Sequence, residues 1–205
     1  EALEGIDDIA DVEHDDHVDH DDHGDQHHHG AFDPHTWQSL DNAVTYVDNI
    51  TAALAQADPA NASEFYQNRA AYVAEIEALD GEIRQALSDI PEDRRTVVTS
   101  HDAFQYFGRD YGLTFVAPQG LSTEAEASAR DVARLIELIR DQNIRAVFIE
   151  NISDSRLLER IADETDATTG GTLYPGALSE PDGPAPTYLE MMRHNAETLV
   201  RALAP

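Results

Sequence analysis

Apolar positions recur every three or four residues at the start of the readable pattern. Trp37, Leu40, Val44, Val47, Ile50 and Leu54, with Thr51 among them, fall on one face of a helix. Asp58-Pro59 breaks that helix, because proline lacks an N–H, and Asn61 or Ser63 can cap the next one. A second stripe of Phe65, Tyr66, Ala70, Val73, Ile76, Leu79, Ile83 and Leu87 predicts a helix over about 62–89, stopped by Pro91. At ~1.5 Å per residue it would be roughly 40 Å long, enough to cross a two-lobed protein.

Beyond about residue 93 the pattern alternates. Short apolar runs at 96–99, 114–117, 146–150 and 168–173 read as strands. Between and after them, helices are predicted over about 102–111, 128–141, 154–165 and 186–203. The second of these turns Val132, Leu135, Ile136 and Ile139 inward. Near-continuous apolar strands alternating with helices imply an α/β lobe whose parallel sheet is covered on both faces. The expected architecture is therefore this C-terminal α/β lobe, 93–205, preceded by a helical segment, 31–92, whose long helix would join two lobes. Ligands of open α/β sheets sit beyond the carboxyl ends of the strands. Ser100-His101-Asp102 and Glu150-Asn151 occupy such positions.

Residues 1–30 follow neither pattern. After Glu1-Ala2-Leu3-Glu4-Gly5-Ile6, the chain runs into a tract of interleaved histidine and aspartate from Glu13 to His29. It has almost no apolar side chains to bury against the entropy of ordering, so a mobile loop is expected. Overall, 13 basic residues face 41 acidic ones, a net charge of −28, and every basic residue is arginine. Such a surface repels phosphate backbones, which excludes nucleic-acid binding, and favours cations as ligands. It also suits a halophile, where molar salt screens self-repulsion within roughly 3 Å. With no cysteine there is no disulfide, thiolate zinc finger or cysteine nucleophile. No apolar run reaches the ~18 residues a membrane span needs. Nor is there a signal-peptide pattern, so an export signal has been removed or the chain begins partway through a gene product.

Three places carry candidate metal chemistry. His14, His17, His20 and His23 recur at intervals of three, followed by His27, His28 and His29. Imidazole and carboxylate suit Zn²⁺, although a mobile tract imposes no single geometry. In Asp33-Pro34-His35, the proline belongs at a helix start, placing His35 in the first turn with Asp33 near enough to accept a ring N–H. His101 follows a strand and is either a ligand or a satisfied structural histidine. Its neighbours Ser100 and Asp102 point elsewhere, so they make no triad with it, and Asp102 is expected to be an N-cap or first-turn acid. Glu150 either bonds a ligand histidine or simply ends its strand; His194 is read as structural. Asn49-Ile50-Thr51, Asn61-Ala62-Ser63 and Asn151-Ile152-Ser153 fit the glycosylation pattern, which recurs by chance.

Asp33-Pro34-His35-Thr36-Trp37 and His101-Asp102-Ala103-Phe104-Gln105-Tyr106-Phe107 together resemble the metal-binding strings of the zinc/manganese solute-binding proteins of ABC importers. The His/Asp tract resembles the loop of the zinc-type members. Gln119 to Ser128, Ala146 to Glu150 and Thr187 to Asn195 are also similar, so the resemblance covers about 30–205. It implies two lobes joined by one rigid helix, metal held between them by His35 and His101, and a further histidine from an N-terminal lobe that is missing here. Where the family often has an aspartate, this chain reads Tyr174-Pro175-Gly176-Ala177-Leu178. Asp182 is expected to stand in, with Glu180 or a water as alternatives. The implied function is extracytoplasmic capture of Zn²⁺, with Mn²⁺ less expected, and delivery to a cognate ABC permease. A monomer at the cell surface or in the periplasm, lipid-anchored when full length, is expected, not an enzyme. The alternatives are a zinc-dependent hydrolase, which lacks a His-Glu-x-x-His string, and a metal buffer acting through the tract alone.

Overall fold

The computed structural model describes residue 9 and residues 32–118, 120 and 127–204. Its helices are α1 (Leu40–Ala57), α2 (Ala62–Ser88), α3 (Gln105–Tyr111), α4 (Ala129–Asp141), α5 (Arg156–Asp163) and α6 (Tyr188–Leu203). Its strands are β1 (Thr96–Val98), β2 (Thr114–Val116), β3 (Ala146–Glu150) and β4 (Thr168–Leu173). Local chemistry sets several of these bounds. The side chains of Ser39, Ser128 and Thr187 accept the backbone N–H of Asn42, Asp131 and Glu190, starting α1, α4 and α6. Gly112, at φ +71°, takes the left-handed conformation that ends α3.

All four strands are parallel, in the order β2-β1-β3-β4. The expected α/β class with its long preceding helix is thus the observed one. Side chains alternate across the sheet. Val97, Phe115, Phe148 and Leu173 join a core with α2, α3 and α6, whereas Val98 and Val147 pack against Leu135 and Ile139 of α4 and Leu158 and Ile161 of α5. The two cores cover opposite faces, as parallel sheets require.

The stripe along the first two helices is buried over only part of its length. Val73, Ile76, Leu79, Ile83 and Leu87 of α2 are within the core, but Ile50, Leu54 and Tyr66 are about half exposed. The physical reason is reach. The end of α1 and the beginning of α2 pack on each other rather than on the sheet lobe. Among the described residues, no helix is long and apolar enough to cross a membrane.

Arginine reaches the carbonyls at the C-terminal ends of α2, α3, α5 and α6 in this lysine-free chain. Arg95 donates to the carbonyls of Leu87 and Ser88 at the end of α2 and of Tyr111 and Gly112 at the end of α3. Arg94 reaches Ala204 after α6, and Arg140 reaches Glu164 after α5. A cation beside unpaired terminal carbonyls is favoured by both hydrogen bonding and the helix dipole. Arg95→Ala should therefore cost about 2 kcal/mol of stability, read by urea unfolding of the metal-free chain. Arg95→Lys should recover only part, because an ammonium cannot fork across two helix ends.

Candidate metal site

His35 is held by its own segment. The Asp33 carboxylate Oδ1 accepts the His35 backbone N–H at 2.9 Å and pairs with ring Nδ1 at 2.7 Å. Asp33 and His35 are both buried, and the Tyr106 hydroxyl donates to the Asp33 carbonyl at 3.1 Å. The expectation that His35 lies in the first turn of α1 needs correcting. It precedes a 3-10 turn, Thr36–Gln38, with non-helical backbone (φ −80°, ψ 38°), and α1 begins only after Ser39. Asp33 takes the His35 N–H, and the Ser39 hydroxyl is the true helix cap.

His101 follows β1 and is held from across the sheet. Glu150, which ends β3 and is 1% exposed, accepts the backbone N–H groups of Ser100 (3.0 Å) and His101 (3.1 Å) on Oε1. Its Oε2 pairs with His101 Nδ1 at 2.5 Å and accepts the Ser153 hydroxyl at 3.0 Å. A buried carboxylate with four such partners belongs to a built site, not to a solvent-facing strand end.

In both rings a carboxylate occupies Nδ1, so the Nδ1–H tautomer is favoured and Nε2 keeps its lone pair. The rings meet edge to face with centroids 5.3 Å apart, and His35 makes a similar contact with Trp37, also at 5.3 Å. The pair lies at the carboxyl ends of β1 and β3. These neighbours send their connections in opposite directions, β1 toward β2 and β3 toward β4. That is the switch point where an open α/β sheet leaves a crevice.

Other expected site residues fall elsewhere. Asp182 lies on an exposed turn in which the Gly183 N–H donates to the Glu180 carbonyl. Among the described residues, no group of three or more His, Asp or Glu side chains is placed to share an ion. Asp182 and Glu180 are thus not gathered with the histidine pair. His14, His17, His20, His23, His27, His28 and His29 lie outside the described residues, as does most of Gln119 to Ser128. Asp102 does not cap α3, whose N-cap position is Phe104; its carboxylate accepts the Gln105 side-chain amide at 2.5 Å. Ser100 Oγ has no hydrogen-bond partner among the described residues, so no serine–histidine relay forms. His194 bonds the Thr172 carbonyl at 3.0 Å and stacks edge-on against Tyr174.

The family model of ZnuA, zinc-uptake complex component A periplasmic, matches residues 1–202. The chain belongs to the ZnuA family. Members with similar sequences are named for different metals. The iron-binding protein YfeA of Yersinia pestis is 37% identical over 172 residues, covering 84% of this chain and 55% of YfeA. The manganese-binding lipoprotein MntA of Bacillus subtilis is 37% identical over 178 residues, covering 84% and 58%. The zinc-binding protein TroA of Treponema pallidum is 35% identical over 178 residues, again 84% and 58%. The chain thus spans just over half the length of these relatives. Its fold matches the solved TroA structure with a TM-score of 0.82 at 34% identity, covering 86% of this chain and 65% of TroA. The Mn-bound periplasmic metal-binding protein of Candidatus Liberibacter asiaticus superposes with a TM-score of 0.83 at 29% identity, covering 98% and 70%. The family is described as periplasmic, MntA is named a lipoprotein and TroA a periplasmic zinc-binding protein, which agrees with the expected place outside the cytoplasm.

Proposed function

We propose that this chain captures a divalent metal ion outside the cytoplasm and presents it to an ABC permease, with His35 and His101 as ligands through Nε2. One observation carries the reading: two buried imidazoles, each anchored to a carboxylate through Nδ1, lie 5.3 Å apart at the sheet's switch point. An ion ~2.1 Å from each Nε2 would sit about 3.2 Å from each ring centroid. A tetrahedral angle would then separate the centroids by roughly 5.2 Å, which supports a shared ion. Two imidazoles favour Zn²⁺ over Mn²⁺, which is better served by carboxylate and water. The remaining ligands would be water or groups outside the described residues. Asp182 could join them only if its turn rearranged.

Metal titration followed by calorimetry separates this reading from a buffer acting through the His/Asp tract. Deleting residues 11–29 should leave one tight site per chain and remove only weak, variable binding. Loss of all zinc binding in that variant would establish the buffer instead.

A further inference from the structure

His35 and the 3-10 turn that follows it belong to no strand, so something must fix them relative to the sheet that carries His101. Part of the tie is one backbone carbonyl. Pro175 O accepts Trp37 Nε1–H at 2.8 Å and Gln38 Nε2–H at 2.5 Å, contacts reaching 138 and 137 residues along the chain. The strap containing this carbonyl is itself pinned on both sides. Tyr174 exchanges two hydrogen bonds with the Asn195 amide of α6, and the Ala177 carbonyl accepts from Asn151, just after Glu150. Tyr188 completes the tie by donating to the Trp37 carbonyl at 2.8 Å. Trp37 in turn lies edge-on against the His35 ring.

We propose that Trp37 and Gln38 are positioning residues that set the spacing of the two metal histidines by gripping the Pro175 carbonyl from one side. The inference rests on the metal-capture reading above. Because two donors share one acceptor, either alone should hold the turn to this already pinned strap, and losing both should loosen it. Gln38 also separates positioning from general stability. It is wholly buried, yet its Oε1 has no partner among the described residues. Replacing it with methionine of similar length removes one hydrogen bond and one unsatisfied acceptor together, effects that oppose each other in folding.

The test is a double-mutant cycle with Co²⁺ as a spectroscopic stand-in, monitored by its visible d–d bands, alongside thermal unfolding of the metal-free chain. Trp37→Phe and Gln38→Met should each weaken Co²⁺ binding only a few-fold. The double variant should weaken it about tenfold beyond the product of the single effects, with altered d–d bands. Multiplicative losses with wild-type bands would overturn the proposal. Should the double variant fail to fold, Gly176→Ala decides. Its methyl would lie 3.3 Å from Trp37 Cζ2, pressing the indole while leaving both donors in place. Altered bands support the proposal, and unchanged bands with unchanged affinity sink it. His35→Ala serves as reference: if it binds Co²⁺ like the wild type, the metal-capture reading has failed, whatever the cycle shows.

Discussion

His35→Ala and His101→Ala should each lower zinc affinity by a factor of about 100–1000. Binding free energies of roughly 10–16 kcal/mol for four-ligand zinc sites assign about 2.5–4 kcal/mol to each ligand. The two variants should differ in folding stability. His35 occupies a local segment, so its loss leaves Asp33 Oδ1 still accepting the backbone N–H of residue 35. Loss of the His101 ring removes the short contact to a buried carboxylate, leaving Glu150 Oε2 with only the Ser153 hydroxyl. His101→Ala should therefore be the less stable by about 1–3 kcal/mol in the absence of metal. Calorimetric zinc titration and urea unfolding read the two effects separately. His194→Ala, altered at a ring occupied with the Thr172 carbonyl, is the control that should retain wild-type affinity. Wild-type affinity in His35→Ala and His101→Ala would end the assignment.

Glu150→Gln should be nearly as damaging to binding as loss of a ligand, with far less effect on folding. The amide keeps one oxygen for the Ser100 and His101 N–H groups. Its NH₂ then faces His101 Nδ1, where the carboxylate had accepted a proton. A donor there drives the ring to the other tautomer, placing hydrogen on Nε2, the nitrogen required for the metal. Affinity should fall about 10–100-fold, the usual range for loss of a ligand's supporting partner. Stability should change by only about 1–2 kcal/mol, with the Ser153 hydroxyl reorienting toward its new neighbour. Nitrogen chemical shifts of His101 in the metal-free protein show the tautomer directly. An unchanged Nδ1–H ring in Glu150→Gln would refute this account of how Glu150 acts.

Much of this was legible along the chain because its causes are local. The three-to-four-residue apolar spacing and the short apolar runs give every α-helix and strand to within a few residues, since burial leaves its mark in the sequence. The Asp33–His35 pair is legible for the same reason: two residues of separation bring the carboxylate to the ring whatever the rest of the molecule does. Local logic failed where competing local partners existed. The Ser39 cap displaced the helix start beyond His35, and Gln105 took the Asp102 carboxylate that was expected to cap α3.

The residues alone determined which segments become helix or strand and which histidine carries its own carboxylate. Only the tertiary structure decided that β1 and β3 are neighbours, which brings Glu150 to His101 across 49 residues. It alone joined Trp37 and Gln38 to Pro175 and set the two rings 5.3 Å apart. The physical reason is that strand order and crossover direction depend on how whole faces pack. A single strand carries an apolar pattern that says it is buried, but nothing in that pattern names the strand beside it.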